Sequence, residues 1–251
     1  MDKSDIGSRM KMYEERSRVY LKRKTPVIMR LDGCHFHTFT KGFDKPFDPI
    51  IERCMKQTML YLCSHIQGCV LGYTQSDEIT LALCDFQKAD TDAWFKYGVQ
   101  KMTSVSASFA TFAFMTELKK CWLEQEFGDT QFQLLSKKLE QGAFFDSRAF
   151  SIPLEDVENC FIWRQLDARR NSVQGLSQAV LGHKRCQNLP CPQLKDKLLE
   201  EEGVVWEDLT TYQKTGSCAV KGEDGKWFID DNTPIFLDDR DYIRKRFIFT
   251  E

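Results

Sequence analysis

At 251 residues with 42% apolar content, the chain can bury one large core and is too apolar for a disordered protein. Its net charge of −2, from 35 Lys and Arg against 37 Asp and Glu, argues against a uniformly basic nucleic-acid binder and leaves any phosphate recognition to local basic groups. No run of about 18 uncharged apolar residues and no signal-peptide pattern is present, so a cytoplasmic protein without a membrane partner is expected.

Asp5 to Leu21 has the pattern of an amphipathic helix, with Ile6, Met10, Tyr13 and Val19 apolar among charges. The run Thr25 to Gly33 is short and aliphatic, with Pro26 at its entrance, and reads as a buried strand. Asp32 then lies at the strand's carboxyl end, where loops build sites, and Gly33 allows a tight bend. By itself this Asp-Gly pair reads first as a plain turn, and a second acid at a matching place shifts the balance. In the loop from Cys34 to Phe47 the aromatics pin the chain to the core and leave Lys41 and Lys45 free to meet phosphate. Asp48 as N-cap and Pro49 at the first helical position start a helix that turns Ile50, Ile51, Met55, Met59 and Leu62 inward.

Two apolar runs, Cys69 to Thr74 and Ile79 to Cys84, flank Gln75-Ser76-Asp77-Glu78 and make a hairpin. A right-handed crossover leaves the third strand between the first two and antiparallel to the first. Asp32 and Asp77 then face each other at one sheet edge. Two such carboxylates, with Glu78 beside them, suit hard divalent cations, because Mg²⁺ takes a few oxygen ligands and keeps the rest for water and phosphate. Phosphoryl or nucleotidyl transfer is the matching chemistry.

Asp90-Thr91-Asp92 is the expected cap of a long helix carrying Trp94, Phe95, Val99, Met102, Val105, Phe109, Phe112 and Ala113 in its core stripe, with Lys96 and Lys101 on the open side. Ala143 to Ile152 reads as a fourth strand, which completes a ferredoxin-like βαββαβ palm of α+β class with an antiparallel sheet. Leu154 to Leu181 is helical in pattern and crowds Trp163, Arg164, Gln165, Asp167, Arg169, Arg170 and Asn171 into two turns. A weak helix at Pro192 to Glu202 follows, then a hairpin from Ser217 to Val220 and Trp227 to Ile229. The basic-aromatic tail from Tyr242 to Phe247 has no place in this scheme. The expected division is a catalytic palm with its N-terminal helix over 1–152 and a helical and hairpin extension over 153–251, packed on the palm. Scattered cysteines (Cys54, Cys63, Cys69, Cys84, Cys160) read as reduced core residues, and the His183, Cys186, Cys191 spacing fits no zinc pattern.

Leu31-Asp32-Gly33 with Phe36-His37 and Phe39, Lys45-Pro46, Gln75-Ser76-Asp77-Glu78, Phe95 to Thr103, and Phe161 to Asp167 occur in one order, and that series resembles the tRNA-histidine guanylyltransferase superfamily. The resemblance implies a palm-like homotetramer that adds nucleotides to tRNA in the 3′-to-5′ direction, with ATP and GTP or other nucleoside triphosphates as substrates. It further implies two Mg²⁺ ions held by Asp32, the Gly33 carbonyl and Asp77, with Glu78 as a supporting catalytic acid. Nucleotide contacts are implied for Phe36, His37, Lys45, Ser76, Lys101 and Asn171, and RNA or triphosphate contacts for Lys96, Arg164, Arg169 and Arg170. Where the guanylyltransferase branch carries a His-Ile-Asn-Asn segment, this chain has Ala168-Arg169-Arg170-Asn171-Ser172-Val173-Gln174, similar to the bacterial and archaeal guanylyltransferase-like proteins. That form implies templated repair of 5′-truncated tRNA after activation with ATP. A non-templated enzyme specific for histidine tRNA, a palm-fold nucleotide cyclase and a non-catalytic RNA-binding module are the alternatives.

Overall fold

The structure, a computed structural model, describes residues 5–88 and 90–247. Helix α1 (Asp5–Arg16) leads to strand β1 (Val27–Gly33), a single helical turn α2 (Phe36–Phe39) and helix α3 (Pro49–His65). The hairpin of β2 (Cys69–Gln75) and β3 (Glu78–Leu83), helices α4 (Val99–Leu123) and α5 (Thr130–Gln141), and strand β4 (Phe145–Ser151) complete the expected βαββαβ unit. Beyond it lie α6 (Leu154–Leu181), α7 (His183–Cys186), α8 (Cys191–Glu202), α9 (Thr211–Thr215), β5 (Ser217–Lys221), β6 (Trp227–Asp230) and α10 (Asp241–Arg244).

The strands form one antiparallel sheet in the order β4-β1-β3-β2-β5-β6. Alternation along β1 sends Val27, Met29 and Leu31 into the core beneath α3 and α4, and Ile28 into the second core beneath α6. Arg30 and Asp32 therefore share the α6 side. Asp48 starts α3 as expected, accepting from the backbone N–H groups of Ile50 (2.8 Å) and Ile51 (3.2 Å). The helix then buries Cys54, Met55, Met59 and Leu62, each contributing about 1.5–3 kcal/mol where a large apolar side chain leaves water. Phe36, Phe39 and Phe43 are buried, so the loop after β1 is tied to the core by its aromatics.

The C-terminal hairpin does not form a layer of its own, because β5 pairs with β2 and continues the palm sheet. Gly216 makes the join possible: its φ is +81°, and a Cβ there would sit 2.5 Å from the Thr74 carbonyl oxygen. The tail is placed by the same face, with Tyr242, Ile243 and Phe247 buried against the α6 core, the Tyr242 hydroxyl donating to Asp230 (2.7 Å), and Arg244 pairing with Glu158 (2.8 Å). None of the ten cysteines forms a disulfide.

Three elements depart from the sequence expectation. Helix α4 begins at Val99 and is not capped by residues 90–92, because Phe95, Lys96 and Tyr97 take left-handed φ angles of 48°, 55° and 60°. Buried Trp94 and Tyr97, with the Leu21 N–H donating to the Tyr97 carbonyl (3.0 Å), hold this turn against its intrinsic cost of about 1–3 kcal/mol per residue. Helix α1 stops at Arg16 and buries nothing, leaving Ile6, Met10 and Tyr13 exposed. Helix α5, capped by Asp129, has no counterpart in the expected elements.

Candidate active site

The end of β1 and the start of β3 meet at one sheet edge. Asp32 lies in register with Glu78, and the Gly33 N–H donates to the Asp77 carbonyl at 3.1 Å. Asp77 thus sits one residue beyond the paired position, in a tight turn where Ser76 has φ 49° and its hydroxyl lies 3.0 Å from Asp77 Oδ1. A third acid joins them from the other side: Asp146 of β4 is in register with Asp32. Its signal was available in the topology, since an antiparallel β4 must begin where β1 ends.

Burial pushes the Asp32 carboxyl up, and the charges of Asp77, Glu78 and Asp146 push it further, with Arg30 alone opposing them. Negative charge at this edge is therefore only partly compensated, which fits a cation bound there. Among the described residues no three His, Cys, Asp or Glu side chains converge as a closed metal cage. That donor set fits Mg²⁺, which takes one or two carboxylates and fills its remaining positions with water and substrate phosphate.

Glu78 and Arg164 are paired with each other. Glu78 is buried and receives a bidentate pair from Arg164, with Nε to Oε1 at 2.6 Å and Nη2 to Oε2 at 2.7 Å. Arg164 is 5% exposed and also reaches Asp167 at 3.1 Å. The enclosed guanidinium grips its own chain, and Glu78 is turned into the α6 interface. The pair fixes α6 above the carboxylate edge.

Beside Asp77 opens a cavity of about 320 Å³, large enough for a small-molecule site. One wall carries Phe36, His37, Lys45, Ser76 and Asp77; the other carries Ala168, Asn171, Tyr212 and Lys214. Lys45 is exposed and its Nζ is 3.2 Å from Thr40 Oγ1, while Asp48 Oδ2 accepts from the Asp44 N–H at 3.0 Å and so steadies the loop that presents Lys45. Lys96, Lys101, Arg164, Arg169 and Arg170 do not line this cavity. Lys101 stands 4.8 Å over the Phe95 ring, Arg169 is 5.8 Å over Trp206, and Arg170 pairs with Asp167. The α9 wall carries no sequence signal: a capping box of Thr210 and Gln213 marks a helical turn, but nothing local says that Tyr212 closes a distant loop.

The profile of the family described as tRNAHis guanylyltransferase (Thg1) matches residues 7–153. Among solved structures, a bacterial tRNA(His) guanylyltransferase (Thg1)-like protein in complex with ATP is 39% identical and superposes with a TM-score of 0.86, covering 96% of this chain and 99% of that one. A bacterial Thg1-like protein in complex with GTP is 38% identical, with a TM-score of 0.81 over 97% and 99% of the two chains. Among relatives, the tRNA(His) guanylyltransferase 2 of Arabidopsis thaliana is 29% identical over 151 residues, which are 59% of this chain and 25% of that protein. With a palm sheet, paired carboxylates and a cavity at its edge, the chain belongs to the tRNAHis guanylyltransferase (Thg1) family of nucleotidyltransferases.

Proposed function

We propose that this protein adds nucleotides to the 5′ end of tRNA in the 3′-to-5′ direction, choosing each by pairing with the opposite strand of the acceptor stem. The observation that carries this reading is the meeting of Asp32 with Asp77, which lines a cavity that also presents Ser76 and Lys45. Its templated form is supported by the cavity wall at Ala168, Asn171, Ser172 and Gly175, in and just beyond the stretch where the histidine-specific branch carries His-Ile-Asn-Asn. The greater likeness to bacterial Thg1-like structures, 39% against 29% for the Arabidopsis enzyme, supports the same choice.

A 5′-monophosphate end is first adenylylated with ATP, releasing pyrophosphate. The 3′-hydroxyl oxygen of the incoming nucleotide then bonds to that phosphorus as the bond to AMP breaks. Lys45 supplies a point charge and Ser76 a short donor for the triphosphate, while Asp32, Asp77 and the Gly33 carbonyl would hold the metal. Two Mg²⁺ ions bound there would lower the pKa of the attacking hydroxyl and offset the charge that builds on phosphate. Assembly as a homotetramer is supported by the apolar side chains Ile6, Met10 and Tyr13 that α1 leaves exposed.

The test offers acceptor stems lacking one 5′ nucleotide, with each of the four bases opposite the gap. Incorporation that tracks the complementary base is expected. GTP addition regardless of the opposing base, confined to histidine tRNA, would overturn templated repair.

A further inference from the structure

A reaction between a nucleoside triphosphate and an RNA end needs two seats, one on each side of the carboxylates. The cavity beside Asp77 supplies one. On the other side, the α6 face of β1 and β4 carries a second group of side chains that the cavity does not include. Arg30 and Arg148 are in register on adjacent strands, two residues along from the Asp32 and Asp146 pair. Trp163 of α6 is 54% exposed, and two guanidiniums lie near its ring, Arg30 at 5.9 Å and Arg164 at 4.5 Å.

This arrangement has unmet polar groups. Arg30 Nε is buried without a hydrogen-bond partner, standing 3.6 Å from Glu78 Oε2, and the Thr80 hydroxyl opposite it in register is likewise buried and unpartnered. Buried donors without hydrogen bonds are rare in folded proteins; Arg30 is held here by the 3.6 Å ion pair to Glu78, and its side chain stays 21% exposed, so the guanidinium can meet a further anion. Arg148 is half exposed and held by an open pair with Asp146 at 3.2 Å, an exposed contact that is readily exchanged for phosphate. A large exposed aromatic ring framed by arginines is the arrangement that stacks an unpaired base and tracks a nucleic-acid backbone.

Resting on the nucleotidyl-transfer reading above, we propose that Trp163, Arg30 and Arg148 form the seat of the RNA 5′ end, Trp163 stacking on the terminal base and the two arginines taking backbone phosphates. The seat delivers the 5′ phosphate to Asp32 from the side opposite the triphosphate cavity. Trp163 is thus a positioning residue for RNA and has no part in binding the free nucleotide.

The experiment measures equilibrium binding of a fluorescent acceptor-stem hairpin RNA, lacking one 5′ nucleotide and ending in a 5′-monophosphate, over a salt series in Mg²⁺, beside binding of ATP alone. Trp163→Ala is expected to weaken RNA binding about 5- to 100-fold, and Trp163→Phe to stay within about threefold of the unsubstituted protein. Arg148→Gln should lower the slope of log affinity against log salt by about one. ATP affinity should change less than about twofold in all three variants, because their side chains lie outside the cavity.

A Trp163→Ala protein that binds RNA normally overturns the seat, and so does one that loses ATP and RNA affinity alike, since the ring would then act by shielding the Arg164 and Glu78 pair. If the unsubstituted protein binds and extends the hairpin while Trp163→Ala is unimpaired, only the seat fails. If the unsubstituted protein neither binds nor extends it, the functional reading fails as well.

Discussion

Adjacent acids in the turn, Asp77 and Glu78, separate into two roles that substitution can tell apart. Glu78→Ala removes a carboxylate that is 8% exposed and leaves the Arg164 guanidinium, 5% exposed, with Asp167 as its one remaining partner. Breaking a buried ion pair by deleting one side costs roughly 3–5 kcal/mol, because the surviving charge stays desolvated. The remaining 3.1 Å contact to Asp167, itself partly exposed, puts the expectation toward the lower end. For a chain of this length about 1 kcal/mol moves the melting temperature by roughly 2–4 °C, so a fall of about 6–15 °C is expected. Replacing both partners, Glu78→Ala with Arg164→Met, should recover part of the loss, since the buried Arg164 charge is gone and only Arg30, 3.6 Å from Glu78 and 21% exposed, is left without its carboxylate. Asp32→Ala behaves oppositely: it deletes a carboxyl already raised by burial and by its like-charged neighbours, so the melting temperature should hold or rise. Thermal unfolding followed by circular dichroism, beside a nucleotide-addition assay, reads both. A Glu78→Ala protein that melts with the unsubstituted one, or a double variant no better than the single, would refute the reasoning.

Asp32→Asn and Asp77→Asn should each remove nearly all nucleotide addition without loss of fold, and chelation by EDTA should do the same reversibly, restored by Mg²⁺ and read by product formation on gels. Lys45→Ala should raise the apparent KM for the incoming nucleotide by about 10- to 100-fold, the worth of one charged hydrogen bond; an unchanged KM returns Lys45 to solvent. Asp48→Ala loses three backbone contacts, from Ile50, Ile51 and Asp44, and should cost about 2 kcal/mol in urea unfolding while loosening the loop that presents Lys45. Gly216→Ala, forced against the Thr74 carbonyl, should cost about 3 kcal/mol or more and displace the Tyr212 wall, seen as weakened nucleotide binding.

Local chemistry alone dictates much of this protein. The Asp48 and Pro49 start of α3, the aliphatic run into Asp32, the α6 span from Leu154 to Leu181 and the C-terminal hairpin follow from caps, alternation and turn residues acting within a few positions. Handedness then carried Asp32 and Asp77 to one edge, because a right-handed crossover leaves β3 a single place. What the tertiary structure decided lies between elements far apart in the chain. Glu78 became a partner of Arg164, 86 residues away, and Tyr212 came to close the cavity. The cap at residues 90–92 lost to the anchoring of Trp94 and Tyr97, whose burial holds three left-handed residues that no propensity favours. Periodicity tells which face of a strand or helix a side chain takes. It does not tell which residue of another element will stand opposite, and at this site that opposite residue separates Asp32 and Asp77, left at the sheet edge, from Glu78, held in a buried ion pair.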